Sequence, residues 1–155
     1  MSLVKSIFFM FLILNCQISK SDDLNKIRKS YLNASLNEDS CKNFILSLKK
    51  VKIEESPLLE AYKISAELIN IKYLKNPFKK FNLFNFYTKK LNLIINENPL
   101  QIEIRFLRYL IQLNSPDFLF YNKNIKEDYN FINKNIFFEN KDIQNFIFSI
   151  IKKTT

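Results

Sequence analysis

The sequence predicts an all-α fold: about six to seven helices arranged as an array of antiparallel hairpins. Three observations carry that prediction. Apolar residues recur at intervals of three and four, the spacing of one helix face. The four prolines stand 20, 22 and 17 residues apart, each interval the length of one helix and a short turn, and each proline follows Ser or Asn. Gly is absent, no Asn-Gly or Asp-Gly hairpin turn exists, and period-two alternation is rarely sustained.

The helices are expected in the following order. Ser21, Asp22 and Asp23 supply a cap and first-turn acids to a helix with Leu24, Ile27, Tyr31 and Leu32 on one face. Asn37 starts a second, with Cys41, Phe44, Ile45 and Leu48 inward and Lys49, Lys50 and Lys52 at its end. Ser56-Pro57 is a cap followed by proline at the first helical position. That third helix carries Leu58, Ala61, Tyr62, Ser65, Leu68, Ile69 and Tyr73, and ends near Lys75 because Asn76 precedes Pro77. Pro77 opens a fourth, with Phe78, Phe81, Phe84, Thr88, Leu91 and Ile95 in one stripe. Asn98-Pro99 is read as the same device, starting a fifth with Leu100, Ile104, Leu107 and Ile111 inward, and Ser115-Pro116 ends it. A connector from Asp117 to Asn122 leads to a helix from about Asn124, bearing Ile125, Tyr129, Ile132 and Ile136. Ile143, Phe146, Ile147, Ile150 and Ile151 mark the last. Without Gly, the helix ends are expected to place Asn in the left-handed C-cap, at Asn70, Asn76, Asn96, Asn98, Asn114 and Asn140.

Residues 1–20 read as an export segment ahead of a single helical domain at 21–155. Lys5 precedes eight uncharged residues, Ile7 to Leu14, too short for the roughly 20 apolar residues of a membrane span and right for a secretory h-region. The chain is therefore expected in the periplasm or cell envelope, held at a membrane only by that segment or a lipid. Lipidation at Cys16 is not favoured, because Asn15 stands where a small residue is wanted. Removal of the segment leaves Cys41 without a partner for a disulfide, and its surroundings read as apolar.

Composition excludes much chemistry. Zero Gly removes phosphate-binding Gly loops and the nucleophile elbow; zero His removes Ser-His-Asp and Cys-His catalysis and His-ligated zinc. The adjacent carboxylates Glu54-Glu55 and Glu127-Asp128 point to different sides of a helix and make no glycosidase dyad. No enzyme, metal or cofactor is expected. Ile, Lys, Asn and Phe make up 78 of 155 residues, all encodable by A/T-only codons. The net charge of +9 therefore owes much to base composition, and with Arg at three against 21 Lys, a nucleic-acid role is disfavoured.

From about Ile64 to Ile132 the chain resembles a family of uncharacterised exported bacterial proteins with tetratricopeptide-like helical architecture. The resemblance rests on Asn76-Pro77, Phe84-Asn85, Asn98-Pro99, the block Glu103-Ile104-Arg105-Phe106-Leu107-Arg108, the run from Gln112 through Asn114, Pro116 and Leu119, then Tyr121 and the stretch Asn124 to Asp128. It implies structural roles for Pro77, Pro99, Asn114, Pro116, Tyr121, Asn124 and Asp128, and no activity. The family pattern carries Gly near Tyr87 and at Phe120, where this chain has neither.

The densest polar cluster is Glu103, Arg105, Arg108 and Gln112. Positions 105, 108 and 112 share a helix face and Glu103 points elsewhere, toward a neighbouring helix. Two readings apply: a carboxylate clamp for a protein partner, or an inter-helix ion-pair network with Glu103, Asp117, Glu127 or Asp128. The expected function is a non-catalytic protein-interaction or scaffold module of the envelope, with Glu103, Arg105, Arg108 and Gln112 as candidate contacts. The alternative is a basic protein binding anionic lipid or nucleic acid through its lysines.

Overall fold

The computed structural model describes residues 23–49 and 56–154, which form seven α-helices and no strand. These are α1 (23–34), α2 (Glu38–Leu48), α3 (Pro57–Asn70), α4 (Pro77–Glu97), α5 (Ile102–Leu113), α6 (Ile125–Asn135) and α7 (Lys141–Thr154), with single 3-10 turns at Ile71–Tyr73, Asp117–Leu119 and Ile136–Phe138. The export segment, Cys16, Lys50 and Lys52 lie outside the described residues.

Four of the starts are capped by the side chain before them. The Asn37, Ser56, Asn76 and Asn140 side chains accept from the backbone N–H three residues on, at 2.8, 3.4, 3.0 and 3.1 Å, so Asn140 opens α7 rather than closing the helix before it. Pro57 and Pro77 take the first helical position, where no N–H is needed. Asn98-Pro99 behaves differently. Asn98 closes α4 and Pro99-Leu100 form a turn, so α5 begins at Ile102 behind Gln101 and Leu100 is left 80% exposed. The same dipeptide suits both settings, because proline also follows helix ends.

The expected left-handed Asn caps do not form. Asn98 and Asn114 keep negative φ, and instead their side-chain amides donate to the carbonyls of Ile94 and Leu110, four residues back, at 2.9 and 2.8 Å; Asn135 does the same to Phe131. The Ile94 and Leu110 carbonyls thus each accept two bonds, from the backbone N–H and from the side-chain amide of the same Asn. Among the described residues the left-handed conformation belongs to Phe120, at φ 50° and ψ 32°. That conformation costs an L-residue roughly 1–2 kcal/mol. The ring is 76% exposed and contributes little burial in return. Phe120→Gly is therefore expected to raise stability by about 0.5–1 kcal/mol, after the added unfolded-state freedom of Gly. Urea unfolding checks it, and a lower midpoint would mean that the ring contributes more than its exposure indicates.

Helix α3 packs on α2, α4 and α5, α5 packs on α6 and more lightly on α4, and α7 packs on the 3-10 turn at Ile136–Phe138. The core runs through Tyr31, Phe44 and Tyr62, whose rings meet edge-on at 5.3–6.5 Å, to Leu91, Ile104, Phe106, Leu107, Ile132 and Ile147. Cys41, Phe44, Ile45 and Leu48 are buried as predicted, as are Phe84, Thr88, Leu91 and Ile95. Phe78 and Phe81 are not: they are 80% and 54% exposed. Helix α4 has 21 residues against 14 in α3 and 12 in α5, so at about 1.5 Å per residue it is about 10 Å longer than α3 and about 14 Å longer than α5, and its first two turns, with Phe78 and Phe81, are left partly uncovered.

Helix α5 sets up the polar chemistry. Nine of its twelve residues are buried, including Glu103, Arg108 and Gln112. A helix buried almost all round must find partners inside the protein for any charge it carries.

Candidate functional site: two buried arginine locks and an apolar groove

The first lock joins α1, α3 and α5. Arg28 Nε and Nη2 donate to the two carboxylate oxygens of Glu103, each at 2.8 Å, a fork-to-fork pair. The Tyr62 hydroxyl donates to Glu103 Oε1 at 2.5 Å. Asn25 accepts from Arg28 Nη1 at 2.8 Å and passes the chain of bonds to Asp142 on α7 at 3.1 Å. Arg28, Tyr62 and Glu103 are all buried. Burial opposes the Arg28 charge, and the Glu103 carboxylate more than offsets it, so its pKa rises above the ordinary guanidinium value. Burial, then the Glu103 charge beside it, pushes the Tyr62 hydroxyl well above the usual phenol range, which keeps it a donor.

The second lock joins α5 to α6. Asp128 accepts two bonds from Arg108, from Nε and Nη2, both at 2.7 Å, and one from Arg105 Nη1 at 3.1 Å. Arg105 also reaches Glu127 at 2.9 Å and the Pro99 carbonyl at 2.8 Å, with its guanidinium 4.3 Å over the Phe131 ring. Arg108 Nη1 and the Tyr121 hydroxyl both donate to Asn92 Oδ1 on α4, at 3.3 Å. Bonds from Asn124 and from Arg105 hold the Glu127 carboxyl below its ordinary pKa. Burial pushes the Tyr121 phenol up, and Arg108 works against that.

All three arginines of the chain are spent on these locks, whereas the pairs Lys26–Asp23 and Lys42–Glu38 lie on the surface. A planar fork satisfies a buried carboxylate that a lysine would meet at one point. The candidate contacts therefore divide. Glu103 and Arg108 are interior groups with their bonds made, and Arg105 keeps only an edge at the surface, with 13% of its side chain exposed. Gln112 is buried with neither amide atom hydrogen-bonded among the described residues. Glu103 does reach a neighbouring helix, but its partner is a basic residue, Arg28; Asp117 joins neither lock. Of the positions given structural roles, Pro99, Tyr121, Asn124 and Asp128 belong to the second lock, while Pro77, Asn114 and Pro116 line something else.

That second feature is a groove of about 780 Å³ where the ends of α1, α3 and α5 meet the start of α4. Its walls are Tyr31, Leu32, Leu68, Ile69, Ile71, Phe84, Leu110, Ile111 and Leu119, with Ile150 of α7 at one side and the exposed rings of Phe81 and Phe118 at the rim. The polar residues on it are Ser35, Asn114, Ser115, Lys72 and Lys80. Its volume lies within the roughly 300–1,000 Å³ of small-ligand sites, and its lining has their composition: apolar walls with a few convergent polar groups. The periodicity of each helix marks its buried stripe, but a groove made from the ends of four helices has no contiguous signal in the chain.

No group of three or more metal-ligating side chains occurs among the described residues, and none of the described helices is long and apolar enough to cross a membrane. No family model matches the chain, and neither a curated protein nor a solved structure matches it.

Proposed function

We propose that this chain is a non-catalytic binding or scaffold module of the cell envelope that works through the apolar groove rather than through its arginines. The groove is the observation that carries the reading: it is a feature of the described surface that combines concavity, apolar walls and a few polar residues at its edge. Two further points support it. The titratable groups assembled in the interior are already engaged with one another across helices, in the manner of struts. The packing of α3 on α5, with their neighbours outside, is what a tetratricopeptide-like array of helix pairs requires. The compartment rests on the sequence of residues 1–20.

Ser35 lies on the groove and is exposed, so a large side chain there fills the space at little cost to folding. The uncharged dye N-phenylnaphthylamine is expected to brighten saturably on the full chain, at one site. Ser35→Trp should remove that response, and Arg105→Ala should leave it. Equal brightening with Ser35→Trp would place the apolar site elsewhere and defeat the proposal.

A further inference from the structure

The charge in the groove narrows its occupant. Its two charged lining residues are both lysines, Lys72 and Lys80, and no carboxylate lines it. Neither amine is neutralised: Lys72 Nζ donates to the Ser35 carbonyl at 2.8 Å, and Lys80 Nζ to the Lys72 carbonyl at 3.0 Å. Neutral backbone oxygens thus hold both ammonium groups at one end of an apolar trough, and each keeps two of its three donors. The Lys72 ammonium also rests 4.8 Å over the Tyr73 ring, a further contact that orders it without cancelling its charge.

An apolar trough ending in two held, uncancelled cations is complementary to a molecule with an apolar body and one anionic end. Because the groove carries no arginine, its two ammonium groups would meet an anionic head group as point charges, each through its remaining donors. Its volume is that of a site for one small ligand. Resting on the reading of the groove as the binding surface, we infer that its occupant is a long-chain fatty acid, with the carboxylate at Lys72 and Lys80 and the alkyl chain along Phe84, Leu110, Ile111 and Leu119.

The test is displacement of N-phenylnaphthylamine from the full chain by dodecanoic acid and by dodecanol, at neutral pH and low salt. Dodecanoic acid is expected to displace the dye at least tenfold more tightly than the alcohol, since a charge-assisted hydrogen bond contributes about that much. Lys72→Gln with Lys80→Gln should remove that preference and leave dye and dodecanol binding unchanged, while Lys89→Gln on the exposed face of α4 should change nothing. Equal competition by acid and alcohol, or a double variant that still prefers the acid, overturns the assignment of the head group and leaves the groove standing. Dye binding that survives Ser35→Trp overturns the groove itself. Tighter displacement by dodecyl phosphate than by dodecanoic acid would overturn the choice of carboxylate.

Discussion

Asp128→Ala is expected to cost about 3–5 kcal/mol, the range found when one partner of a buried ion pair is removed. Asp128 is 0% exposed and accepts from both Arg105 and Arg108. Its loss leaves the Arg108 guanidinium, 5% exposed, without the carboxylate that is bonded to it, with the long bond to Asn92 and the more distant Glu127 charge in its place. With total stabilities of small domains near 5–15 kcal/mol, the variant stands close to unfolding. Urea unfolding followed by helical circular dichroism measures the loss. Limited proteolysis should show new cleavage between α5 and α6, whose packing the lock secures. Arg105→Ala is the contrast. It sits at the rim, and Asp128 keeps its two bonds from Arg108, so a cost of about 1 kcal/mol is expected. A cost as large as that of Asp128→Ala would mean that Arg105, not Arg108, is the principal partner.

Glu103→Ala is expected to lose a similar 3–5 kcal/mol by the same physics at the other lock, with the Tyr62 hydroxyl as an added casualty. The informative companion is Arg28→Met with Glu103→Leu. Replacing both charges by apolar groups of similar size removes the desolvation penalty along with the attraction, so the double variant should recover most of the stability lost by the single one. A single-variant loss below about 1 kcal/mol would show that the pair behaves like an exposed one.

The fold was legible because its signals are local. Asn76-Pro77 and Ser56-Pro57 state a helix start within two residues, and the faces of α2 and α7 repeat at three and four. The errors fall where one local pattern serves two geometries. Asn98-Pro99 carries the same letters as Asn76-Pro77, yet the Asn98 amide closes the helix before it rather than opening the one after. Phe78 and Phe81 fall on the stripe by spacing and are exposed because α4 outruns its neighbours, a length mismatch that only the assembled helices reveal. In the polar cluster, density along the chain and a shared helix face mark Arg105 and Arg108 and reach no further. Arg28 is the third of the three arginines, and the scarcity of Arg could have nominated it; its partner lies 75 residues on, beyond the reach of any spacing rule. Gln112 shares the face of the arginines by spacing, but a shared face can be an inward one.

The distance between Arg28 and Glu103 has a consequence in time. A ribosome adds roughly 5–20 residues per second, so about 4–15 s pass between the making of Arg28 and the making of the carboxylate that neutralises it. Throughout that interval the guanidinium has no reason to leave water, and α1 cannot complete its docking on α5. Most of the other helix contacts join near neighbours and close soon after they are made. For a chain proposed to leave the cytoplasm, this delay is useful: its N-terminal portion stays uncommitted while its leading segment is being read, and the fold is finished only after residue 103 has arrived.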